Sequence, residues 1–278
     1  MYEITKIINN NIVCSVDEDG QEIIIRGLGI GFKQKPHDTI PDEKIEKVYK
    51  MESPKASGKL QELMAEIPLS YVETCTEIID YARNTVGKRL NENIYITLTD
   101  HISFAIERQR QNMEYRNALL MEIRNFYIQE FQIGCKALEI IKEKLNVELS
   151  RDEAGFIALH IVNAELNTDM CDMVNITEMM QQVLDIVEHY YQMKLDDHSL
   201  AYERFITHLK FFGQRLFSDR ITKDDDVTFQ KMVKKRYKND YKCAEEIRTF
   251  IRETYKKEIT EEEMIFLTIH LRRVSNTV

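Results

Sequence analysis

A unit of about a hundred residues occurs twice in this chain, and each copy carries two histidines in the same frame. The first histidine of each copy lies in Asp100-His101-Ile102-Ser103-Phe104, followed by Arg108, and in Thr207-His208-Leu209-Lys210-Phe211, followed by Arg215. The second lies in Glu153-Ala154-Gly155-Phe156-Ile157-Ala158-Leu159-His160-Ile161 and in Glu263-Met264-Ile265-Phe266-Leu267-Thr268-Ile269-His270-Leu271. The copies are offset by 107 residues at the first histidine and 110 at the second. That period is the size of a domain rather than of a solenoid repeat, so the duplication predicts two equivalent domains that superpose, each with its own pair of imidazoles. The two histidines of a copy are expected to approach one another.

The segments holding the histidines have helical periodicity and their own start signals. Ser150-Arg151-Asp152-Glu153 and Thr260-Glu261-Glu262-Glu263 both read as capping boxes, which place His160 and His270 at the same depth in their helices. From His160, helical steps reach Glu153, Asn163 and Asn167, a thin polar line on an otherwise apolar helix. The corresponding line through His270 holds Glu263 and Arg273. Arg108 and Arg215 follow their histidines by seven residues, roughly 10 Å along a helix, within partial reach of an anion on the ring. Asp100, Glu153, Glu263, Arg108 and Arg215 are therefore the candidate supports of the four histidines.

The first 55 residues have a different texture. Short apolar runs at Ile4 to Ile8, Asn11 to Val16, Glu22 to Arg26 and Glu46 to Tyr49 are separated by Asn9-Asn10-Asn11, Asp19-Gly20 and Gly27-Leu28-Gly29-Ile30-Gly31. Such punctuation predicts an antiparallel meander. So small a module buries little surface, and pairing of sheets in a dimer is one remedy. Ser53-Pro54-Lys55-Ala56-Ser57-Gly58 is expected to be the linker to the helical part, and a second boundary is expected near Asn167-Thr168-Asp169-Met170. The expected architecture is thus a small antiparallel β module at 1–55 followed by two homologous all-α helical-bundle domains at 59–169 and 170–278.

Composition narrows the function classes. The 278 residues hold 47 acidic and 38 basic side chains, a net charge of −9, which disfavours nucleic-acid binding by bulk electrostatics. Residues 1–55 alone carry eight Lys or Arg against ten Asp or Glu, so any basic patch there must be local. No apolar run approaches the roughly twenty residues a membrane helix needs, and the start lacks the marks of a signal peptide, so no membrane insertion and a cytoplasmic location are expected. Five scattered cysteines without C-x-x-C spacing suggest neither a disulfide framework nor a zinc knuckle.

Taken singly, a histidine on an apolar helix is most often a core or interface residue. Four of them in a duplicated frame call for chemistry. Metal binding, as in an all-α metal-dependent phosphohydrolase using Asp100 and Glu153 beside the imidazoles, is one reading, although H-x-x-x-H and H-E-x-x-H spacings are missing. A DNA-binding regulator would need a recognition helix where the pattern shows strands. Reversible phosphorylation of the rings is the third, and it would add negative charge to a helical interface. His37, His189 and His198 have no counterpart in the repeat and are expected at the surface.

Six motifs in order resemble the BglG/LicT type of transcriptional antiterminators over essentially the whole chain. They are Lys6-Ile7-Ile8-Asn9-Asn10-Asn11, Gly27-Leu28-Gly29-Ile30-Gly31-Phe32, Leu98-Thr99-Asp100-His101, Ala154 to Glu165, Thr207-His208-Leu209-Lys210-Phe211-Phe212 and Thr268-Ile269-His270-Leu271. The resemblance implies a homodimer that binds a stem-loop in nascent mRNA, prevents a terminator from forming and so permits transcription of a sugar-utilisation operon. It implies no enzymatic activity and no cofactor. It further implies phosphorylation of all four histidines by the sugar phosphotransferase system. The sugar-specific permease would act negatively through His101 and His160, and the phosphocarrier HPr positively through His208 and His270. It places Lys6, Asn9, Asn11, Gly27 and Phe32 at the RNA. Leu28 stands where many members have arginine, with Arg26 and Lys33 beside it as the available cations.

The residues alone carry less. Asn side chains at a turn can bond base edges, Phe32 can stack on an unpaired base, and the glycines admit close backbone approach. Ordinary hairpin chemistry uses the same residues.

Overall fold

A computed structural model of the chain describes residues 2–113, 115–218 and 227–276. Residue 1 of the expected first module and residues 277–278 of the expected last domain lie outside the described set.

Six short strands open the chain: β1 (Tyr2–Glu3), β2 (Lys6–Asn9), β3 (Ile12–Val16), β4 (Glu22–Arg26), β5 (Thr39–Ile40) and β6 (Lys47–Lys50). β2-β3-β4-β6 form one antiparallel sheet, with Val13 opposite Ile25 and Ile24 opposite Tyr49, and β1 pairs with β5 in a separate ribbon. The ribbon escapes sequence patterning because two residues are too few to show alternation. The alternation along β3 and β4 sends residues to two different cores. Val13, Ile23 and Ile25 face Ile4, Ile30 and Ile40, whereas Ile12, Cys14, Ile24 and Tyr49 face the helices that follow. The module therefore buries its second sheet face against the helices that follow.

The helix α1 (Pro54–Glu66) begins inside the hexapeptide expected to be a linker. Ser53 is its N-cap, the Ser53 hydroxyl accepting from Ala56 N–H, and Pro54 occupies the first turn, where its missing N–H costs nothing. The residues that read as punctuation are here a helix start. Then come α2 (Leu69–Val86), α3 (Ile94–Arg110), α4 (Leu120–Phe126), α5 (Ile128–Leu145), α6 (Arg151–Leu166), α7 (Met170–Tyr191), α8 (Leu200–Phe217), α9 (Val227–Arg236), α10 (Lys238–Tyr255) and α11 (Glu261–Val274). Asn167 closes α6 in the left-handed region at φ 52°, and Asp169 caps α7 through Asp172 N–H, so the chain turns where the second boundary was expected.

The described residues form two compact units, 1–120 with 127–167, and 121–126 with 168–278, so α4 clusters with the second. Within the first unit α2 packs on α3 and α5, and α6 on α3 and α5; within the second α7 packs on α8 and α10, and α11 on α8 and α10. The duplication in sequence is thus a duplication of packing, with α3 and α8, and α6 and α11, in corresponding roles. Gly134 permits the close approach of α5 to α6, since a Cβ there would overlap the Ala154 carbonyl oxygen. Leu98, Ile102, Ile106, Ile157 and Ile161 fill the interior between α3 and α6, and Phe205, Leu209, Phe212, Ile247, Leu267 and Leu271 fill that of the second unit. All five cysteines are free.

Candidate phosphorylation and nucleic-acid sites

The pairs of histidines meet. His101 on α3 and His160 on α6 have ring centroids 4.9 Å apart, and His208 on α8 and His270 on α11 are 4.5 Å apart and stacked. Each pair is walled by aromatic rings. Phe156 lies 5.6 Å from His101, and Phe212 and Phe266 lie 6.3 and 6.2 Å from His208.

Glu153 and Glu263 do not complete capping boxes. Thr260 caps α11 by accepting from Glu263 N–H, whereas the Ser150 side chain makes no cap bond. Both glutamate side chains turn inward instead. His101 Nε2 lies 2.9 Å from Glu153 Oε2, and Arg108 Nη2 donates to Glu153 Oε1 at 2.8 Å. In the second unit Arg215 Nε donates to Glu263 Oε1 at 2.6 Å, while Glu263 Oε2 stands 4.0 Å from His208 Nε2, too far for a hydrogen bond. The seven-residue step from histidine to arginine thus delivers the guanidinium to the carboxylate that serves the histidine. Asp100 is exposed and forms no hydrogen bond or ion pair among the described residues, so it stands apart from the cluster.

Electrostatics follow burial. Burial, with a smaller push from His101, lowers the pKa of His160 to about 3. Burial, then His270 and Arg215, lowers His208 to about 3 as well, and His270 is lowered by burial and then by Arg273 and Arg204. These three rings are therefore neutral at pH 7, the state in which an imidazole nitrogen is nucleophilic. His160 Nδ1, His208 Nε2 and His270 Nδ1 are buried without hydrogen-bond partners. His37, His189 and His198 are exposed as expected, His37 pairing with Glu3 at 2.6 Å.

One neighbour of the first cluster left no signal in the sequence. The Arg108 guanidinium lies over the rings of Phe104 and Tyr115, 4.9 and 5.0 Å from their centroids. Tyr115 follows α3 without periodicity to mark it. A cavity of about 320 Å³ opens beside it, lined among others by Arg108, Met113, Tyr115, Ser150 and Glu153. Among the described residues no three His, Cys, Asp or Glu side chains converge as metal ligands, so the phosphohydrolase reading finds no donor set.

At the β module, the Asn turn and the glycine segment zip together. Asn9 Oδ1 accepts from Asn11 N–H, Asn11 Oδ1 from Gly29 N–H, and the Asn10 carbonyl from Gly31 N–H. Gly31 is required by proximity, because a Cβ there would sit 2.4 Å from the Asn9 carbonyl oxygen. Gly27 is buried under the same constraint, since a Cβ there would overlap the Lys44 carbonyl oxygen. The expected contact residues thus divide. Phe32, 55% exposed, and Lys33, whose ammonium lies 5.3 Å from the Phe32 ring, face solvent beside exposed Leu28. Asn9 and Asn11 are half-buried and bond the backbone of the turn and the glycine segment, and Gly27 is buried. Arg26 is largely covered and pairs with Glu46 at 3.6 Å. Lys6 donates to Gln61 Oε1 at 2.9 Å and Asn9 Nδ2 to the Met64 carbonyl at 3.1 Å, so α1 occupies both. Sequence reasoning missed Gln61 because it is an ordinary polar residue 55 positions away.

A β module with an aromatic-tipped loop thus precedes two helical domains, each built round an Arg–Glu–His cluster facing a second histidine. Residues 2–58 match the family model of the CAT RNA binding domain, and residues 76–164 and 181–274 match that of the PRD domain. The chain belongs to the BglG/LicT family of transcriptional antiterminators. It is 44% identical over 272 residues to the transcription antiterminator LicT of Bacillus subtilis, covering 98% of both chains. It is 42% identical to the beta-glucoside operon antiterminator of Dickeya chrysanthemi, over 98% of this chain and 96% of that one. The crystal structure of GlcT CAT-PRDI aligns with a TM-score of 0.54 at 35% identity, over 59% of this chain and 98% of that one. No helix among the described residues is long and apolar enough to cross a membrane.

Proposed function

We propose that this chain is a transcriptional antiterminator which binds a stem-loop in nascent mRNA as a homodimer, keeps a terminator from forming and so permits expression of a sugar-utilisation operon. It acts in the cytoplasm, as a regulator rather than an enzyme. Its parts are the RNA-binding module at 1–55 and regulation domains at 59–169 and 170–278. His101, His160, His208 and His270 are the phosphorylation sites, the first two serving inhibition by the sugar-specific permease and the last two activation by HPr. The observation that carries this reading is the duplicated cluster itself: two closely spaced imidazoles beside an arginine-held carboxylate, built twice on one chain with an RNA-binding module.

A phosphoryl group is an anion introduced among buried rings, so it shifts the protein toward packings that offer it cations. Arg108 and Arg215 are each engaged by the glutamate of their own cluster, so the opposite signs in the two domains are what the family resemblance implies. A terminator-reporter fusion without inducer tests the sign. His101→Asp is expected to lower read-through and His208→Asp or His270→Asp to raise it, and effects of one sign from both domains would overturn the assignment. Phosphopeptide mapping with purified permease and HPr, each added separately, tests the donors.

A further inference from the structure

The carboxylates of the two clusters also decide which ring nitrogen is free to react. A carboxylate accepts hydrogen bonds and donates none. Glu153 Oε2 lies 2.9 Å from His101 Nε2, so Nε2 carries the proton, and in the neutral ring the lone pair is left on Nδ1. Glu153 is only 6% exposed and is held through its other oxygen by Arg108. The second domain repeats the order: Arg215 holds Glu263 Oε1, and Glu263 Oε2 faces the same nitrogen, Nε2, of His208. There both facing atoms are buried and without hydrogen-bond partners at 4.0 Å. A shift of about 1 Å by either side chain satisfies both groups at once, each of which otherwise carries the desolvation cost of a buried orphan. Two separately folded clusters thus present one ring edge to a carboxylate and leave the other edge for chemistry.

We propose that Glu153 and Glu263 are positioning residues for histidine phosphorylation, each holding the Nε2 proton of its partner so that His101 and His208 accept the phosphoryl group on Nδ1. The proposal rests on the reading of these histidines as phosphoacceptors. The donor is a protein phosphohistidine. The Nδ1 lone pair forms the new bond to phosphorus while the donor's N–P bond breaks, and the electron pair of that bond returns to the donor ring nitrogen. The Nε2 proton stays where it is. Positive charge that develops on the accepting ring is met by the carboxylate, in the way a buried carboxylate orients and stabilises an imidazole in other nucleophilic sites. Arg108 and Arg215 keep the carboxylate in place without touching the reacting atoms.

Two measurements on the full-length protein test this. Long-range 15N–1H spectra of the unphosphorylated chain report the tautomer, with Nε2–H expected for His101 and His208, and a mixture of tautomers in Glu153→Gln and Glu263→Gln. Potassium phosphoramidate, a small N-phosphoryl donor that needs no protein partner, is then used to phosphorylate the rings, and the isomer is read by 31P–15N correlation. Wild-type protein is expected to form the Nδ1 isomer at His101 and His208, and the Gln variants to form both isomers. Should a Gln variant not fold, the wild-type spectra still decide. An Nδ1–H tautomer or an Nε2 phosphoryl group at either residue of the wild type overturns the proposal. The Nδ1 isomer from phosphoramidate, together with no transfer from HPr or the permease, supports the positioning role and removes the phosphotransferase reading instead.

Discussion

Acidification should destabilise this protein through His160, by an amount the structure sets. Burial, aided by the neighbouring His101 ring, holds the pKa of His160 at about 3, against about 6.5 in an unfolded chain. Between those values the unfolded chain binds a proton that the folded chain refuses. Stability from this group is therefore complete above about pH 6.5 and is lost as the pH falls through the window toward 3. At about pH 5 the window has been entered by roughly 1.5 units, each worth about 1.4 kcal/mol, so the loss is about 2 kcal/mol. His160→Gln keeps a polar side chain of similar size and removes the titration. Urea denaturation of full-length protein at pH 7 and at pH 5 should show the wild type losing about 2 kcal/mol more than the variant. Parallel losses in the two proteins, or a His160 ring signal titrating near its ordinary value in the native spectrum, would refute the reasoning. His208, also held at about 3, predicts the same for His208→Gln.

Further outcomes are expected elsewhere. Arg215→Met removes the guanidinium partner of the buried Glu263 carboxylate and should cost about 3–5 kcal/mol in denaturant titration. Arg108→Met removes the corresponding partner of Glu153 and should cost a similar amount; a loss under about 1 kcal/mol at either site would contradict the burial of these pairs. Phe32→Ala should leave thermal stability within about 0.5 kcal/mol while weakening RNA binding by about 1–3 kcal/mol in gel shift. Asn11→Ala should lower both, since it also removes the acceptor of Gly29 N–H; affinity untouched by both variants would take the loop out of the RNA contact. Gln61→Ala frees the Lys6 ammonium and should tighten RNA binding by about 0.5–1.5 kcal/mol, and no change would remove Lys6 from the contact set.

Much of this was legible in the chain because duplication and periodicity are local properties. The repeated frames determined that two similar helical domains exist and that each sets two histidines at matching depths, since a helix start and a 3.6-residue period place a side chain on a face without reference to its partner. The Asn and Gly punctuation likewise determined an antiparallel module, as turn chemistry acts over a few residues. What occupies each face was beyond such signals. Glu153 and Glu263 satisfy the capping-box pattern, yet their carboxylates go to arginines 45 and 48 residues away, because charges buried in a packed interior require partners more strongly than an exposed cap does. Ser53-Pro54 reads as part of a linker; a helix starts there because Leu60 and Met64 find an apolar sheet face to bury against. Lys6 and Asn9, exposed in any local reading, are taken up by α1 through contacts 55 residues apart. Residue type and spacing determined which groups the protein possesses, and long-range packing alone decided which of them touch.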